Sequence, residues 1–291
     1  MDECLISVIV ATFRRDKELA RALESIRTQT YRNLEVIVVD DNGDPSWNET
    51  VREIVGNAGV SARLIRNEKN LGSAKARNIG IYASGGEYVT FLDDDDVYLP
   101  EKVERQARAM TESGADYSIT DLDLYYENDR LAEHRRRSYI KDQSRLLEYH
   151  FMYHMTGTDT LMFRRPFLME IGAFPEINLG DEFYLMHEAI RLKGRFTYLP
   201  RCDVKAYVHK QEGLSSGTEK VRGENKLYEY KKRYFSAMSG KAVRAIKMRH
   251  HAVLYFTGVR AKQYGFAVAH GILAVLISPV EAFKLIYRRL T

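Results

Sequence analysis

Two groups of aspartates in this chain directly follow apolar runs. Asp40 and Asp41 lie in VIVVDDNGD, and the run Asp93–Asp96 lies in VTFLDDDD. Adjacent carboxylates repel one another where the dielectric constant is low, so something must offset that cost. A hard divalent cation such as Mg²⁺ or Mn²⁺ does so, because it binds carboxylates and completes its shell with water and substrate phosphates. A carboxylate of the first group can also accept a hydrogen bond from a nucleobase or ribose. The alternative for both groups is a solvated turn or helix cap.

Side chains alternate along an extended backbone, and this alternation predicts how the four adjacent aspartates are divided. Asp93 and Asp95 are expected to share one side of the chain, with Asp94 and Asp96 on the other. A pair of carboxylates on one side suits a single divalent cation.

A basic segment, RNEKNLGSAKARNIG, occupies residues 66 to 80. Lys75 and Arg77 follow Gly72, where a helix is predicted to begin. Basic side chains beside a helix N-terminus form a natural cradle for a diphosphate. The alternative is an ordinary charged helix face.

The elements that must position these residues are repeated strand and helix units over the first 120 residues. Short strand candidates rich in Val, Ile, Leu or Tyr span residues 7–10, 34–39, 62–65, 88–92 and 117–120. Helical patterns lie between them, around residues 19–26, 51–55, 74–83 and 103–110. This alternation predicts an α/β fold with a doubly wound, mostly parallel sheet. Ligands bind such sheets outside the carboxyl ends of the strands, where both aspartate groups fall.

The second half of the chain is predicted in less detail. DLDLYYENDR and AEHRRRSY are expected to be exposed loop, and QSRLLEYHFMYH is expected to be a helix. TLMFRR, LGDEFYLMHEAIRLKGRFTYLP and CDVKAYVHKQEGLSSG predict a strand, a helix plus strand, and a strand plus loop. Beyond about residue 222 the pattern is wholly helical.

Composition narrows the class of protein. The chain has 291 residues and 45% hydrophobic content, enough for a large globular core. The chain has two cysteines, Cys4 and Cys202, which are too few for a disulfide framework and lack the spacing of a zinc site. This cysteine content fits a reducing cytosol. The N-terminal apolar run is too short for a signal peptide or a membrane span. Residues 231–291 hold 12 Lys plus Arg and one acid, a balance of +11, whereas the preceding 230 residues hold 32 bases and 39 acids, a balance of −7.

Three stretches together resemble the family 2 glycosyltransferases of the GT-A fold. They are SVIVATFRRDKELARALESIRTQTYRNLEVIVVDDNGD, NLGSAKARNIGIYASGGEYVTFLDDDD and IGAFPEINLGDEFYLMHEAIRLKGRFTYLP. The resemblance runs from about residue 5 to about residue 217, with the motifs in the family's order. It implies a GT-A catalytic domain at residues 1–221, followed by a basic helical C-terminal extension at residues 222–291.

The resemblance implies where a nucleotide-sugar donor binds. Ala11, Thr12 and Phe13, after the first strand, are expected to lie against the nucleotide. Asp40 and Asp41 are expected to contact the uracil or its ribose.

The same resemblance places other residues near the diphosphate. Arg77, with Lys75, is expected there. His209 is expected near the metal or the diphosphate as a third metal ligand, although a histidine after a strand is more often structural. Ser215 and Ser216 lie in a loop that resembles a lid over the diphosphate, where they could donate to phosphate oxygens.

The DxD motif of the family matches Asp93 to Asp95. Asp93 is expected near the ribose, and Asp95 is expected to bind the metal, Mg²⁺ or Mn²⁺. Asp96 is a candidate second metal ligand. Asp94, which belongs to the donor-binding segment, is predicted to be the most replaceable of the four.

The general base of the family comes from an acidic pair at a helix start, usually Glu-Asp. Here the pair is reversed, as Asp181 and Glu182. Counting back from Leu185 places Glu182 in the position of the usual base, with Asp181 as the alternative. The base accepts the proton of the acceptor hydroxyl as that oxygen attacks the anomeric carbon.

The function implied is inverting, metal-dependent transfer of a sugar from a UDP-sugar to a glycan or lipid-linked saccharide, in cell-surface polysaccharide synthesis. Sugar-phosphate nucleotidyltransferases are disfavoured because ATFRRDKELARAL lacks glycine, and dehydrogenases because no GxGxxG follows a strand. The alternative is a protein that binds a nucleotide sugar without turnover, as a partner or regulatory subunit.

The C-terminal region contains the most apolar run, FAVAHGILAVLISPV, at residues 266–280. Fifteen residues are fewer than the roughly 20 that a membrane-spanning helix needs. A basic rim around an amphipathic helix predicts peripheral contact with an anionic membrane at the cytoplasmic face. The alternative is a small helical bundle, and no nucleic-acid-binding motif is present.

Overall fold

The computed structural model describes residues 4–177, 180–208 and 217–290, without the side chains of residues 217, 218, 284 and 286–290. The described residues form two compact units. One takes those of residues 1–143 and 155–209, and the other those of residues 144–154 and 210–291. Packing alone defines these units, and the catalytic domain at residues 1–221 remains a prediction about function.

The first unit is built on two sheets. Its strands, in chain order, are Ile6–Thr12 (β1), Leu34–Asp40 (β2), Ala62–Arg66 (β3), Tyr88–Phe91 (β4), Val97–Tyr98 (β5), Tyr117–Thr120 (β6), Leu122–Tyr126 (β7), Leu131–Arg135 (β8), Leu161–Arg164 (β9), Phe196–Leu199 (β10) and Val204–Val208 (β11). The helices of both units, numbered in chain order, are Lys17–Arg27 (α1), Pro45–Asn57 (α2), Ser73–Ala83 (α3), Lys102–Ser113 (α4), Leu146–Tyr153 (α5), Arg165–Glu170 (α6), Asp181–Arg191 (α7), Gly217–Lys232 (α8), Gly240–Arg260 (α9), Tyr264–Ile277 (α10) and Pro279–Leu290 (α11).

The larger sheet has seven strands in the order β10-β6-β9-β4-β1-β2-β3. Neighbouring strands are parallel except at β9, which is antiparallel to both β4 and β6. All five strands predicted in the first 120 residues are present, with ends within two residues of the predicted ones. The prediction of a mostly parallel α/β sheet is therefore confirmed.

Helices cover both faces of this sheet. Val8 and Val36 lie in one core cluster with Leu19 of α1, whereas Ile37 packs on the opposite face with Ala76 of α3. The two faces are both apolar because successive strand residues point to opposite sides. Such coverage on both sides is what a buried parallel sheet requires.

The segments predicted as exposed loop at residues 121–130 and 132–139 instead largely form a β-hairpin. β7 and β8 pair antiparallel within a four-stranded sheet of order β5-β11-β7-β8. The Tyr126 N–H donates to the Arg130 carbonyl oxygen at 2.9 Å, which closes the turn. Leu122 and Leu124 pack against the core of the first unit. The hairpin escaped the sequence prediction because its outer strand is exposed and polar, so apolar periodicity is weak.

The second unit consists of α5 and α8–α11 among the described residues. The predicted helix in QSRLLEYHFMYH is confirmed as α5, and the helical C-terminal region is confirmed as α8 to α11. Ser239 caps α9, with its hydroxyl oxygen accepting from the Ala242 N–H at 3.2 Å. No helix among the described residues is long and apolar enough to cross a membrane.

Candidate active site

The carboxyl ends of β4, β1 and β2 lie side by side at one edge of the large sheet, since these strands are adjacent and parallel. Thr12 at the end of β1 pairs in register with Asp40 at the end of β2. Asp93 follows β4, which ends at Phe91. The polar strand ends identified in the sequence therefore meet at one edge, where doubly wound sheets bind ligands.

The run Asp93–Asp96 forms a turn, and this corrects the alternation expected of an extended segment. The Asp96 N–H donates to the Asp93 carbonyl oxygen at 3.1 Å. The turn directs the two middle carboxylates toward the segment after β1 and brings the first and last carboxylates together. Separating adjacent carboxylates into two groups reduces their mutual repulsion.

The middle aspartates contact the segment after β1. The Phe13 N–H donates to Asp94 Oδ2 at 3.1 Å, and Arg15 Nη2 donates to Asp95 Oδ2 at 3.0 Å. Arg21 donates to the Asp95 carbonyl oxygen at 2.7 Å. Burial, with the neighbouring charge of Asp95, raises the pKa of Asp94 to about 7. The metal-binding role of Asp95 stays a prediction, and in this structure its carboxylate pairs with a guanidinium.

Three carboxylates converge beside this turn, from Asp93, Asp96 and Asp159, which we call the acidic cluster. One oxygen from each lies within 4.8 Å of the others. The Asp93 N–H donates to Asp159 Oδ1 at 2.6 Å, and the Tyr207 N–H donates to Asp96 Oδ1 at 2.8 Å. Burial and then the charge of Asp159 raise the pKa of Asp96 well above its usual value. Burial and then the charge of Asp93 raise the pKa of Asp159 to about 7.

Asp159 is a candidate site residue that the sequence did not indicate. It lies in a 3₁₀ turn at Thr158–Thr160, immediately before β9. Because β9 is antiparallel to β4, its first residue lies at the carboxyl end of β4. Polar residues before a predicted strand were visible in TGTDTLMF. They become informative only once the direction of that strand is known.

A buried lysine, also missed from the sequence, belongs to the same region. Lys102 is fully buried, and its Nζ donates to Thr90 Oγ1 at 2.6 Å and to the Tyr98 hydroxyl at 2.9 Å. Burial lowers the pKa of Lys102 to about 7, and the charge of Asp159 opposes this shift. Lys102 is therefore a buried titratable amine whose charged form is favoured by the acidic cluster and disfavoured by burial.

The predicted uracil- and ribose-binding aspartates are both buried and hydrogen-bonded within the protein. Asp40 Oδ1 accepts from the main-chain and side-chain N–H groups of Asn42, at 3.1 and 2.7 Å. The carboxylate of Asp41 accepts from the N–H groups of Leu71 and Gly72, each at 2.9 Å. Asp41 thus holds the start of α3 against the end of β2. Direct contact of either residue with a nucleotide stays a prediction.

The predicted nucleotide-contacting segment leaves one aromatic ring open to solvent. Ala11 is partly buried and Thr12 is buried, whereas Phe13 is 41% exposed. The guanidinium of Arg14 lies 5.2 Å from the centre of the Phe13 ring. An exposed ring at the edge of the sheet offers an apolar surface on which a planar base can stack.

The two basic residues after Gly72 occupy different environments. Arg77 is buried and donates to Asp93 Oδ1 at 2.7 Å and to Asp181 Oδ2 at 3.2 Å. Burial lowers the pKa of Arg77, but the charges of Asp93 and Asp181 outweigh it and the net shift is upward. Lys75 is exposed and pairs with Glu176 at 3.0 Å. Arg77 therefore links the acidic cluster to the start of α7.

The predicted catalytic pair lies at the N-terminus of α7, where carboxylates are favoured by the helix dipole. Burial raises the pKa of Asp181 to about 6, although Arg77 opposes the shift. Glu182 accepts hydrogen bonds from the Gly157 N–H at 3.1 Å and from the Thr158 hydroxyl. Both carboxylates are therefore held in place, by a cation at Asp181 and by neutral donors at Glu182.

The remaining predicted site residues, His209, Ser215 and Ser216, lie outside the described residues. Their roles at the metal and the diphosphate stay predictions.

Comparison with known proteins identifies the class. The glycosyl transferase family 2 model matches residues 7–172, so this chain belongs to glycosyl transferase family 2. It is 25% identical to the uncharacterized glycosyltransferase MJ1057 of Methanocaldococcus jannaschii, over 79% of this chain and 78% of MJ1057. It is also 27% identical to WfgD of Escherichia coli, a UDP-Glc:alpha-D-GlcNAc-diphosphoundecaprenol beta-1,3-glucosyltransferase. That match covers 44% of this chain and 49% of WfgD. Several other curated glycosyltransferases are matched over less than half of their length.

Solved structures agree on the fold. Residues 1–349 of TarS from S. aureus, in complex with UDP-GlcNAc, superpose with a TM-score of 0.63 at 20% identity, over 93% of this chain and 91% of that one. The mannosyltransferase PcManGT from Pyrobaculum calidifontis, in complex with GDP-Man and Mn²⁺, also superposes with a TM-score of 0.63. Its sequence identity is 17%, and the match covers 98% of this chain and 79% of PcManGT. The chain is a glycosyltransferase with the GT-A fold, as the resemblance implied.

Proposed function

We propose that this glycosyltransferase transfers a sugar, with inversion, from a UDP-sugar to a glycan or lipid-linked saccharide, with Mg²⁺ or Mn²⁺ as cofactor. One observation carries the proposal. The acidic cluster, Arg77 and the pair of Asp181 and Glu182 are connected by short contacts at the carboxyl edge of the sheet. Donor binding and proton acceptance therefore have candidate groups in adjacent positions.

The acidic cluster fits a hard divalent cation. Its ligand atoms are carboxylate oxygens only, and they lie within 4.8 Å of one another. Burial and mutual repulsion raise the pKa of Asp96 and of Asp159, and a bound cation would relieve that repulsion. When bound there, Mg²⁺ or Mn²⁺ would neutralise charge on the diphosphate.

We favour UDP as the nucleotide because it occurs in the name of one relative and in one solved structure. The name of WfgD includes UDP-Glc, and the TarS structure contains UDP-GlcNAc. The PcManGT structure contains GDP-mannose, so the fold also accommodates a guanine nucleotide. Comparison of UDP-sugars with GDP-mannose as donors therefore identifies the nucleotide.

The reaction requires one bond to form and one to break. The acceptor hydroxyl oxygen bonds to the anomeric carbon while the bond from that carbon to the diphosphate oxygen breaks. Glu182 accepts the hydroxyl proton. It is oriented by Gly157 and Thr158 without an ion pair among the described residues, whereas Asp181 is engaged by Arg77. One direct displacement inverts the configuration.

A lipid-linked acceptor fits the name of WfgD, which acts on a diphosphoundecaprenol-linked sugar. The balance of +11 over residues 231–291 suits peripheral contact with an anionic membrane surface at the cytoplasmic face, where such an acceptor would lie. We include that contact in the proposal.

The test is nucleotide release from a panel of UDP-sugars, with GDP-mannose alongside, in the presence of Mn²⁺ or Mg²⁺. Wild type is compared with Glu182→Gln and Asp181→Asn. We expect release from at least one UDP-sugar and a loss of roughly 10²–10⁴-fold in Glu182→Gln, because a positioned base supplies that factor. Asp181→Asn should retain more activity.

Other outcomes have defined meanings. If only Asp181→Asn is inactive, Asp181 is the base. If wild type binds a nucleotide sugar but releases nothing with any acceptor, the non-catalytic alternative replaces the proposal. Release that is unchanged by chelation of divalent cations would contradict metal dependence.

A further inference from the structure

The helices α10 and α11 bury small residues and expose large apolar ones. Ala267, Ala274 and Ala282 are buried, whereas Leu276 is 74% exposed and Phe283 is 69% exposed. Among the side chains described on these helices, the other exposed large apolar ones are those of Tyr264, Val268, Ile272, Leu273, Val275 and Val280. An amphipathic helix of a globular protein normally turns its large apolar side chains inward.

Close packing of α9 against α10 explains why small residues face inward. A Cβ added at Gly258 would lie 2.9 Å from the Phe266 ring and 3.1 Å from Ala267 Cβ. A Cβ added at Gly271 would lie 3.0 Å from the Tyr255 ring. Small residues at these positions allow close backbone approach, so this packing leaves most large apolar side chains of α10 without space on the inner side.

We propose that the outer surface of α10 and α11 docks into an anionic lipid bilayer. We call it the apolar face, and it consists of Val268, Ile272, Leu273, Val275, Leu276, Val280 and Phe283. The proposal names the surface and the partner for the membrane contact proposed above. The docking proposal rests on the proposed function in one respect: docking would give the enzyme access to a lipid-linked acceptor.

Charge distinguishes a bilayer from a second copy of the chain. Residues 263–280 contain no Asp, Glu, Lys or Arg, and the exposed Arg260 and Lys262 lie immediately before them. Glu281 follows in the sequence, and then Lys284, Arg288 and Arg289. Pairing two copies would bring together two regions of high positive net charge, whereas anionic headgroups attract such a region.

The length of α10 decides how the helix would lie. Its 14 residues span about 21 Å at 1.5 Å per residue, shorter than the ~30 Å hydrocarbon core of a bilayer. None of the described helices qualifies as a membrane span. An apolar face that follows directly on exposed basic residues and is too short to cross is suited to lying in the plane of the interface.

The experiment is vesicle flotation of the full chain with phosphatidylcholine vesicles, with or without phosphatidylglycerol. Wild type should float with the anionic vesicles and much less with the neutral ones. The double variant Ile272→Ser/Leu276→Ser should bind about tenfold more weakly or worse, since each side chain loses apolar burial. The matched control, Tyr82→Ser/Leu131→Ser, removes two exposed apolar side chains from the first unit and should float as wild type does.

A second readout reports insertion directly. Trp47 is the single tryptophan of the chain, so Leu276→Trp in a Trp47→Phe background provides one reporter on the apolar face. Its emission should shift to shorter wavelength with anionic vesicles and be quenched by brominated acyl chains. An unshifted, unquenched reporter on bound protein would overturn insertion and leave headgroup contact alone.

Two further results would overturn the proposal. One is absence of flotation by wild type. The other is a dimer in sedimentation that Ile272→Ser/Leu276→Ser dissociates, because the occupant is then a second copy. Flotation is independent of turnover, and Glu182→Gln should float as wild type. Failure of docking is therefore distinguishable from failure of the proposed sugar transfer.

Discussion

At the acidic cluster, the DDDD run supplies two of the three converging carboxylates, and Asp159 supplies the third. The turn at Asp93–Asp96 decides which two, because it sends Asp94 and Asp95 toward the segment after β1. The sequence resemblance favours Asp95 as the metal ligand, whereas the geometry favours Asp159 as a partner of Asp93 and Asp96. These two assignments differ in their consequences for cation binding.

Substitution of Asp159 and of Asp95 distinguishes the two assignments of the metal ligand. Asp159→Asn should weaken Mn²⁺ binding by about tenfold or more, because a neutral amide replaces one of three carboxylates around the cation. Asp95→Asn should weaken it less, since Arg15 already compensates that charge. Titration calorimetry with Mn²⁺ measures both. If Asp95→Asn abolishes binding and Asp159→Asn does not, the sequence-derived assignment is correct and the cation lies nearer Arg15.

The raised carboxylate pKa values also make stability depend on pH. Burial raises the pKa of Asp159 from 3.8 to about 7, so the folded protein holds a proton that the unfolded chain has released. The stabilisation associated with this proton is fully present below pH ~4 and is lost as the pH rises to ~7. Between pH 5 and pH 8, the free energy of unfolding of wild type should therefore fall more than that of Asp159→Asn.

Urea denaturation without divalent cations at the two pH values provides the measurement. The difference between the proteins is the readout, because Lys102 and Lys231, whose pKa values burial lowers to about 7, contribute with the opposite sign. Adding Mn²⁺ should stabilise wild type more at the higher pH, where the carboxylates are ionised. Equal pH slopes for the two proteins would show that Asp159 ionises in the folded state as it does in the unfolded one.

At the scale of elements, Asp41 joins three parts of the chain. It ends the β2 region and accepts from Leu71 and Gly72 at the start of α3, and from the side chain of Asn67 at 2.8 Å. Gly43 lies beside it, and a Cβ there would come within 2.3 Å of the Lys69 backbone. This carboxylate therefore positions the helix that carries Arg77, whether or not it also contacts a nucleotide.

Asp41→Ala should lower the free energy of unfolding by about 2–4 kcal/mol, since it leaves the buried side-chain N–H of Asn67 and two partly buried main-chain N–H groups without an acceptor. The matched control is Asp44→Ala, which removes an exposed helix cap that accepts from the Ser46 N–H at 2.9 Å. The control should cost about 1 kcal/mol. Equal losses in urea denaturation would indicate that Asp41 has no special role in holding α3.

At the scale of the whole molecule, charge is divided unequally along the chain. Residues 231–291 carry a balance of +11 and the preceding 230 residues a balance of −7. A basic region attracts anionic surfaces over about a Debye length, and an apolar face then adds affinity that salt does not screen. The proposed membrane contact combines these two contributions.

Anionic vesicles that contain a lipid-linked acceptor should accelerate sugar transfer relative to neutral vesicles, because docking raises the local enzyme concentration. The variant Ile272→Ser/Leu276→Ser should lose this acceleration and keep the wild-type rate of nucleotide release in solution. Both rates are measured by coupled UDP detection. An equal loss in solution would show that the substitutions damage the enzyme rather than its docking.

The sequence alone determined the fold class, the family, the seven strands of the large sheet and the edge where the candidate site residues lie. These follow from local hydrophobic periodicity and from motifs contiguous in the chain. Tertiary structure decided the turn at Asp93–Asp96, the hairpin of β7 and β8, and the inward alanines of α10 and α11. It also brought in Asp159, which is 66 residues from Asp93 along the chain and reaches it because β9 runs antiparallel to β4. Strand direction and helix packing are set by contacts between distant residues, and no local pattern encodes them.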